Sequence, residues 1–211
     1  MREVLLTALQ QTLYMVALST ALAVFFGIFP AVVLTLTAPD GLKPNRTVYG
    51  ILDFFVNVFR SFPFVILMIL VIPLTRLLIG RAIGTAAAVV PLTISAIPFT
   101  ARIFENALRE TDHGVIEAAK SFGARDMQII MHVYIKESVP RLLNGIILLV
   151  INMVGASAMA GVLGGGGLGD VAIRYGYQSY RLDYLIVTSL ILILVVQIVQ
   201  GLGNLLHKKL G

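Results

Sequence analysis

Few side chains in this sequence could carry out acid–base, nucleophilic or metal chemistry. The chain has no cysteine, and its three histidines, His113, His132 and His207, are too widely spaced to predict a metal-ligand cluster. Ser157 and His132 could belong to a hydrolase triad, but Ser157 lies in an apolar run typical of a membrane span, whereas His132 lies in a polar segment. The residue types therefore argue against a metal site and against a serine hydrolase.

A glycine-rich run at 164–169 reads GGGGLG and formally matches G-x-G-x-x-G, the phosphate-binding pattern of dinucleotide-binding proteins. That chemistry requires a preceding β-strand and an alternation of strands and helices, and the sequence predicts neither. A Lys-Ser or Lys-Thr pair, which a P-loop needs, is also missing after the run. We therefore expect a turn or re-entrant bend, in which glycines adopt positive φ, and no nucleotide bound by this chain.

The composition indicates which elements must position these residues. Hydrophobic residues make up 58% of the 211 positions and charged residues only 13%, and the mean hydropathy is +0.92. These values are typical of a polytopic membrane protein. The net charge of +5 is spread over the ends of apolar runs, so it indicates membrane topology rather than nucleic-acid binding. We predict an all-α fold with a single transmembrane domain, residues 1–211.

Five apolar runs are long enough to cross a bilayer, which takes about 20 residues. The third run contains Pro91 and Pro98, and the backbone groups that these prolines leave without helical partners must be satisfied by neighbouring helices. We therefore expect the third span inside the bundle. The predicted spans are about 9–36, 58–79, 82–101, 142–163 and 184–206.

An odd number of spans places the two termini on opposite sides of the membrane. With the polar segment 111–140 on the cytoplasmic side, eleven of the sixteen Lys and Arg residues lie on inner segments and five lie on outer segments. This distribution follows the positive-inside rule. We therefore expect the N-terminus outside and the C-terminus, with His207, Lys208 and Lys209, in the cytoplasm.

The segment 111–140 holds the longest polar stretch of the chain. Thr111 or Asp112 can cap a short helix, and Gly123 can end it in the manner of a C-terminal glycine. A second helix is predicted from residue 126 towards Pro140, where the chain becomes apolar again. Four side chains of the first helix recur at helical spacing and predict one apolar stripe: Val115, Ile116, Ala119 and Phe122.

Small side chains on this first helix suggest that it docks on another protein. Ala118, Ala119 and Ser121 would allow the helix to enter a groove deeply, with Glu117 at the rim. An ordinary amphipathic surface loop is the alternative, because Glu-Ala-Ala is a common helical tripeptide.

The fourth span carries a run of small residues, GASAMAG at 155–161, interrupted by the large and flexible Met159. Small residues allow membrane helices to approach closely, so two copies facing each other could use Met159 as a plug that repacks on opening. Plain packing between helices explains the run equally well. Asn144, Asn152 and Ser157 are polar groups on the same span, and in a bilayer they should face protein or water. They are candidates for lining a translocation pathway.

Arg102 and Glu105 lie at the inner end of the third span. They can pair with each other or contact the polar segment 111–140. Anchoring of their charged ends at the membrane interface is the simpler interpretation.

The polar segment resembles the EAA loop of ABC-importer permeases. Glu117, Ala118 and Ala119 are followed after three residues by Gly123, which is the spacing of that loop. The loop usually continues to a hydrophobic-x-Leu-Pro ending, and here residues 133–136 read VYIK, while Pro140 is kept. Three further segments resemble the methionine-type permeases of this family: 56–80, 89–108 and 157–180.

This resemblance implies the permease subunit of an ATP-driven importer for D- or L-methionine, which is a transport protein and not an enzyme. It implies a homodimer in a bacterial cytoplasmic membrane, bound to two cytoplasmic ATPase subunits and supplied by an extracytoplasmic methionine-binding lipoprotein. ATP and magnesium would be bound by the ATPase subunits and no cofactor by this chain. By family position, Met159 would lie at the gate, and the coupling helix would contain Glu117, Ala118, Ala119 and Gly123.

Other functions remain compatible with parts of the sequence. An importer permease of the same kind could carry another amino acid or a small solute. A scaffold protein could share the docking loop and transport nothing. A membrane-embedded enzyme would need paired catalytic groups at one depth within the spans, and the sequence predicts no such pair.

Overall fold

The computed structural model describes residues 1–210, with side chains described as far as Leu206, and it confirms the all-α prediction because this part of the chain contains no strand. The side chains of His207, Lys208 and Lys209, which were predicted to be cytoplasmic, lie outside the described residues. The helices are α1 (Arg2–Thr37), α2 (Arg46–Arg60), α3 (Phe64–Leu70), α4 (Ile72–Ile79), α5 (Thr85–Arg109), α6 (His113–Ser121), α7 (Asp126–Ile129), α8 (Ile135–Ala160), α9 (Gly167–Val171) and α10 (Leu182–Leu210). Wider π-helical turns lie at Ile130–Tyr134, Gly161–Gly165 and Ala172–Gln178.

Four helical segments are long and apolar enough to cross a membrane. A fifth crossing is present if α2 and α3, which meet at an angle of 102°, are taken as one broken span. The four unbroken segments are Arg2–Thr37, Thr85–Arg109, Asp126–Gly165 and Leu182–Leu206.

The second predicted span, 58–79, differs from the structure, which has three short helices in this region. Helix α2 begins much earlier and ends at Arg60, and α3 and α4 are separated at Val71. Two prolines explain the breaks. Pro63 disfavours a helical conformation at the residue before it, and Pro73 lies in the first turn of α4, where a missing backbone N–H costs nothing.

Two further spans are longer than the sequence indicates. Helix α5 continues beyond residue 101 to Arg109, and α8 begins at Ile135 rather than at 142. The helix that was expected to stop near Pro140 therefore runs through that proline into the membrane. As a result, the second part of the polar segment and the fourth span form one nearly continuous helical rod that begins at Asp126 and ends at the kink at Leu163 and Gly164.

Helix α5 is the centre of the bundle and lies alongside α1. Pro91 and Pro98 are both buried within it, which confirms the prediction that this span packs inside. Close approach depends on small residues: a Cβ added at Gly27 of α1 would lie 2.8 Å from the Cβ of Thr100. The main core contains Met15, Ala23, Ala88, Leu92, Ala96, Leu149 and Met153.

The glycine-rich run forms the tight turn that the sequence predicts. Gly164, Gly166 and Gly167 have φ values of +91°, +78° and +83°, in the left-handed region where glycine is favoured. Two polar side chains of α1 accept hydrogen bonds from the turn: the Gly167 N–H donates to Oε1 of Gln11 at 2.8 Å, and the Leu168 N–H donates to Oγ1 of Thr12 at 2.9 Å. Gln11 and Thr12 thus replace the helical partners that these backbone groups lack.

A polar cluster lies at the opposite end of α5, where α2 packs against it. Arg102 donates from Nη1 to Oε2 of the buried Glu105 at 2.7 Å and also pairs with Asp53 of α2. The Tyr49 hydroxyl donates to the other Glu105 oxygen at 3.1 Å. The pairing of Arg102 with Glu105 is confirmed, and it holds the polar face of α2 against α5.

We predict that Gly161→Ala destabilises the outer end of the bundle. An added Cβ would lie 2.6 Å from the backbone nitrogen of Asp170 and 2.8 Å from the Gly166 carbonyl oxygen, and neither is a flexible side chain. The cost of overpacking should be about 1–3 kcal/mol and should appear as a lower midpoint of thermal unfolding in detergent. Gly201→Ala is the matched control, because its Cβ would meet no atom within 4 Å. Equal midpoints for the two variants would contradict the packing described here.

Candidate functional site

The first candidate surface is built by α6, which follows directly on α5. Asp112 caps this helix by accepting a hydrogen bond from the Gly114 N–H at 2.7 Å. Ile116, only 4% exposed, anchors the helix to a small apolar core that also contains Leu108, Ile129 and Tyr134. The short helix is therefore held by its own protein on one face and free on the other.

The predicted apolar stripe of α6 is only partly correct. Ile116 and Ala119 face the small core, but Val115 is exposed and Phe122 is 91% exposed. Phe122 departs from the pattern because α6 ends at Ser121, so helical spacing no longer determines where its side chain lies. Its ring instead borders a shallow groove that is also lined by Gly123, Gln128 and His132.

The four residues predicted for docking do not all face outwards. Glu117, Ala118 and Gly123 are exposed, whereas Ala119 is half-buried against the core. Gly123 has φ +77°, and its N–H donates to the Lys120 carbonyl at 2.9 Å. The left-handed glycine therefore ends α6 and turns the chain towards α7.

Helices α6 and α7 form a helical hairpin between α5 and α8, and polar contacts join these two spans at its base. The buried Ser138 hydroxyl of α8 donates to the Ala107 carbonyl of α5 at 2.9 Å and lies 3.2 Å from the hydroxyl of Thr111. Arg141 of α8 donates to the Glu110 carbonyl at 3.0 Å. Since α5 enters the hairpin and α8 leaves it, these bonds close the hairpin at its base.

Ion pairs add a third attachment, to the loop after α1. Arg109 contacts Asp40 at 2.8 Å, and Lys43 contacts Asp126 at 2.9 Å. Burial by itself would raise the pKa of the Asp40 carboxyl, but a backbone hydrogen bond and Arg109 outweigh it and leave this pKa below its ordinary value. Asp40 is therefore charged at neutral pH, when it pairs with Arg109.

The second candidate surface is a stripe of exposed residues along α8 and into the turn that follows it. Met159 is 51% exposed, and the other members are exposed as well. They recur every three or four residues, so they form one continuous face. We call this face the α8 stripe; it contains Asn144, Leu148, Asn152, Gly155, Met159 and Val162.

Ser157 does not belong to the α8 stripe, although it was predicted to line a pathway with Asn152 and Met159. It is 1% exposed, and its hydroxyl donates to the Val154 carbonyl of its own helix at 2.7 Å. The helical period places position 157 on the opposite face from Met159, and the intrahelical bond satisfies its polarity. Asn152 and Met159 share the exposed face, and their role in a pathway stays a prediction.

The geometry gives no support to hydrolytic or metal chemistry. Ser157 and His132 are 25 residues apart on the helical rod, which is roughly 37 Å along its axis. Within the described residues, no group of three or more His, Cys, Asp or Glu side chains is placed to hold a metal ion.

Comparisons with known proteins identify the family. Residues 23–211 match the family described as the inner membrane component of binding-protein-dependent transport systems. This chain belongs to that family. The probable D-methionine transport system permease protein MetI of Vibrio cholerae is 48% identical over 98% of this chain and 92% of its own length. The methionine import system permease protein MetP of Bacillus subtilis is 44% identical over 82% of this chain and 78% of its own length.

Solved structures agree with this assignment. A chain of the MetNI methionine ABC transporter in an inward-facing conformation superposes with a TM-score of 0.98 at 37% identity, covering 100% of this chain and 98% of its own length. An amino acid ABC transporter gives a TM-score of 0.81 at 21% identity over 99% and 94% of the two chains, which shows a shared fold. As a member of this family the chain is a multi-pass membrane transport component and not an enzyme.

Sequence reasoning missed several residues that hold these surfaces in place. Ser138 and Thr111 are ordinary hydroxyl residues in the sequence, and only the fold brings them together. Gln11 and Thr12 were visible as polar residues within an apolar run, which is itself a signal that they face protein. Their partners at 167 and 168 could not be inferred from the sequence.

We predict that Ser138→Ala loosens α6 without unfolding the bundle. The substitution removes a buried hydrogen bond and leaves the Ala107 carbonyl and the Thr111 hydroxyl without this partner, at a cost of about 1–2 kcal/mol. Amide hydrogen exchange in His113–Ser121 should accelerate roughly 5- to 30-fold. Ser189→Ala is the control, because that exposed hydroxyl bonds only within its own helix. Unchanged exchange in α6 would mean that Ser138 does not hold the hairpin.

Proposed function

We propose that this chain is the permease subunit of an ATP-driven ABC importer for methionine. The observation that carries the proposal is its near full-length likeness, in sequence and in structure, to methionine transport permeases. In this proposal the chain forms a homodimer in a bacterial cytoplasmic membrane and assembles with two ATPase subunits. ATP and magnesium belong to the ATPase subunits, and this chain holds no cofactor.

Docking on the ATPase is assigned to α6. Glu117 and Ala118 present a small, exposed surface that fits into a groove, and Gly123 ends the helix beside the exposed ring of Phe122. Ala119 supports this surface from beneath by packing against the apolar core. Ile116 packs α6 against the apolar core, and buried hydrogen bonds of Ser138 join α8 to α5 and to Thr111 just before α6. A movement of α6 is therefore transmitted to both spans.

Passage is assigned to the α8 stripe. Polar Asn144 and Asn152 are costly in contact with lipid, so this face is better placed against a second copy or against water. Two copies related by a two-fold axis would bring Met159 close to its counterpart, with Gly155 allowing close approach. Met159 then closes the pathway, and its flexible side chain repacks when the helices separate.

The mechanism follows from the continuity between these surfaces. Closure of the ATPase subunits draws the two α6 helices together. Each α6 is fixed to the base of α8, and α8 runs without a large bend to the α8 stripe. The bundles therefore rock as rigid bodies, and the gate opens towards the outer side.

The topology of the proposal places α6 in the cytoplasm, the N-terminus outside and the C-terminus inside. The loop after α9 is then extracytoplasmic, where Tyr177 and Tyr180 are exposed and Tyr180 holds the unusual φ of +55°. This end would receive methionine from an extracytoplasmic methionine-binding lipoprotein.

The first test is uptake of labelled methionine by cells that lack their own methionine importer and express this chain with its ATPase and binding protein. We expect uptake of the labelled methionine to be inhibited by unlabelled methionine and abolished by an inactive ATPase. Uptake of a different solute by the same complex would assign another substrate. Failure of the ATPase to co-purify would reject the importer assignment.

In the same cells, Ala118→Arg should abolish uptake and co-purification of the ATPase while leaving the amount of membrane-inserted permease unchanged. A bulky cation cannot enter a groove that accepts the exposed Ala118 methyl group. Ser179→Arg, at the opposite end of the molecule, is the control for assembly and should co-purify with the ATPase as wild type does. Normal uptake by the Ala118 variant would exclude α6 as the docking helix.

Cross-linking tests the assignment of the α8 stripe. The chain has no cysteine, so a single Met159→Cys variant provides a unique thiol. Oxidation in membranes should give a covalent dimer in high yield. Leu77→Cys, on the most exposed part of α4, should stay monomeric. A covalent dimer with Leu77→Cys and none with Met159→Cys would show that the two-fold axis does not lie beside α8.

A further inference from the structure

An apolar groove between α4 and α5 has one charged residue in its wall. Its cavity measures about 190 Å³, below the roughly 300–1,000 Å³ of sites for drug-sized ligands. The walls come from α3, α4, α5 and the π-helical turn that follows α8. The residues that matter here are Met68, Ile72, Arg76, Ala82, Pro91 and Leu163.

Arg76 is the unusual member of this wall. It lies in the last turn of α4, within the apolar part of the chain, and among the described side chains no carboxylate is within ion-pairing distance of its guanidinium. The only other side chain with a polar group in the groove wall, Thr75, donates its hydroxyl to the Val71 carbonyl at 3.0 Å. A guanidinium without a partner beside an apolar cavity matches a carboxylate that carries an apolar chain.

The groove reaches the chain neighbour of the last α8-stripe residue, and backbone contacts fix this part of its wall. Leu163 in its wall directly follows Val162, the last member of the stripe. The Gly84 N–H donates to the Gly164 carbonyl at 2.9 Å, which ties the start of α5 to the glycine turn. A Cβ added at Gly164 would lie 2.8 Å from Cγ2 of Ile83, so this contact is already close-packed. The cavity is thus preformed at the edge of the proposed pathway, on its outer side.

We propose that this groove is a transient binding site for the transported amino acid, with its carboxylate on Arg76 and its apolar side chain between Met68, Ile72 and Leu163. This inference rests on the proposed function, since it names a site for the same substrate within the permease itself. The amino group faces the open side of the groove, where water is available. The small volume favours one amino acid over the chain of a lipid.

The test measures retention of labelled L-methionine by the purified complex of this chain with its ATPase subunits, in lipid nanodiscs and without binding protein. Wild type should bind methionine saturably. Arg76→Gln should weaken binding about tenfold or more, because a charge-assisted hydrogen bond is lost. Ala82→Trp, which fills the groove and keeps Arg76, should also weaken binding. Arg60→Gln is the matched control, since Arg60 is exposed in the last turn of α2 and lines no part of this groove.

A change to the ligand tests the same contact without changing the protein. Methioninol keeps the side chain and the amino group but lacks the carboxylate, so it should compete poorly with methionine for the wild-type complex. For the Arg76→Gln complex, methioninol and unlabelled methionine should compete with labelled methionine nearly equally well.

Several results would overturn the inference. The first is retention of methionine by the Arg76→Gln complex at the wild-type level. The second is competition by methioninol as strong as that by unlabelled methionine in the wild type. The third is no saturable binding by a wild-type complex that still imports methionine. Loss of a co-purifying phospholipid from Arg76→Gln with unchanged methionine retention would assign the groove to lipid instead. Failure of the proposed function is distinguishable, because it would appear as absence of methionine uptake by the wild type.

Discussion

Every backbone N–H and C=O group within the lipid layer must find its hydrogen-bond partner inside the protein, and this constraint determines most of the structure. Long helices satisfy it along α1, α5, α8 and α10. Where the helical pattern is interrupted, side chains supply what the backbone lacks. The clearest case is the glycine turn, whose N–H groups at 167 and 168 are taken up by Gln11 and Thr12 of α1. The first helix is thereby fixed to the glycine turn at the end of the helical rod that begins at Asp126.

Rigid attachment of the hairpin is the second requirement. The short helix α6 could not keep its structure alone, because isolated helices shorter than about 12 residues are marginal in water. Its stability comes from the small core around Ile116 and from the closure of α5 against α8 through Ser138. The same contacts that stabilise α6 also connect it to the start of the helix that carries the α8 stripe.

Polar residues within the spans divide into two groups by their partners. Glu105 and Ser157 are buried and hydrogen-bonded within the protomer, so their polarity serves the fold. Asn152 and Arg76 are exposed, and among the described residues their side chains have no hydrogen-bond or ion-pair partner, so their polar groups are accessible from outside the protomer. The partner, and not the residue type, separates structural polar groups from functional ones.

The sequence alone determined the all-α class, the membrane location, the glycine turn and the short helix that Gly123 ends. These follow from local properties: apolar run length, the conformational freedom of glycine and the spacing of a short motif. The structure decided which sides those residues face. Ser157 and Asn152 are both polar residues of the same apolar run, yet Ser157 is buried and Asn152 is exposed. Packing against α5 and α10 determines which face of α8 is covered. The continuation of α8 through Pro140 and the meeting of Ser138 with Thr111 also depend on contacts between distant parts of the chain. Local sequence specifies helices well because their hydrogen bonds are local, whereas the faces that helices present depend on neighbours that only the folded bundle brings together.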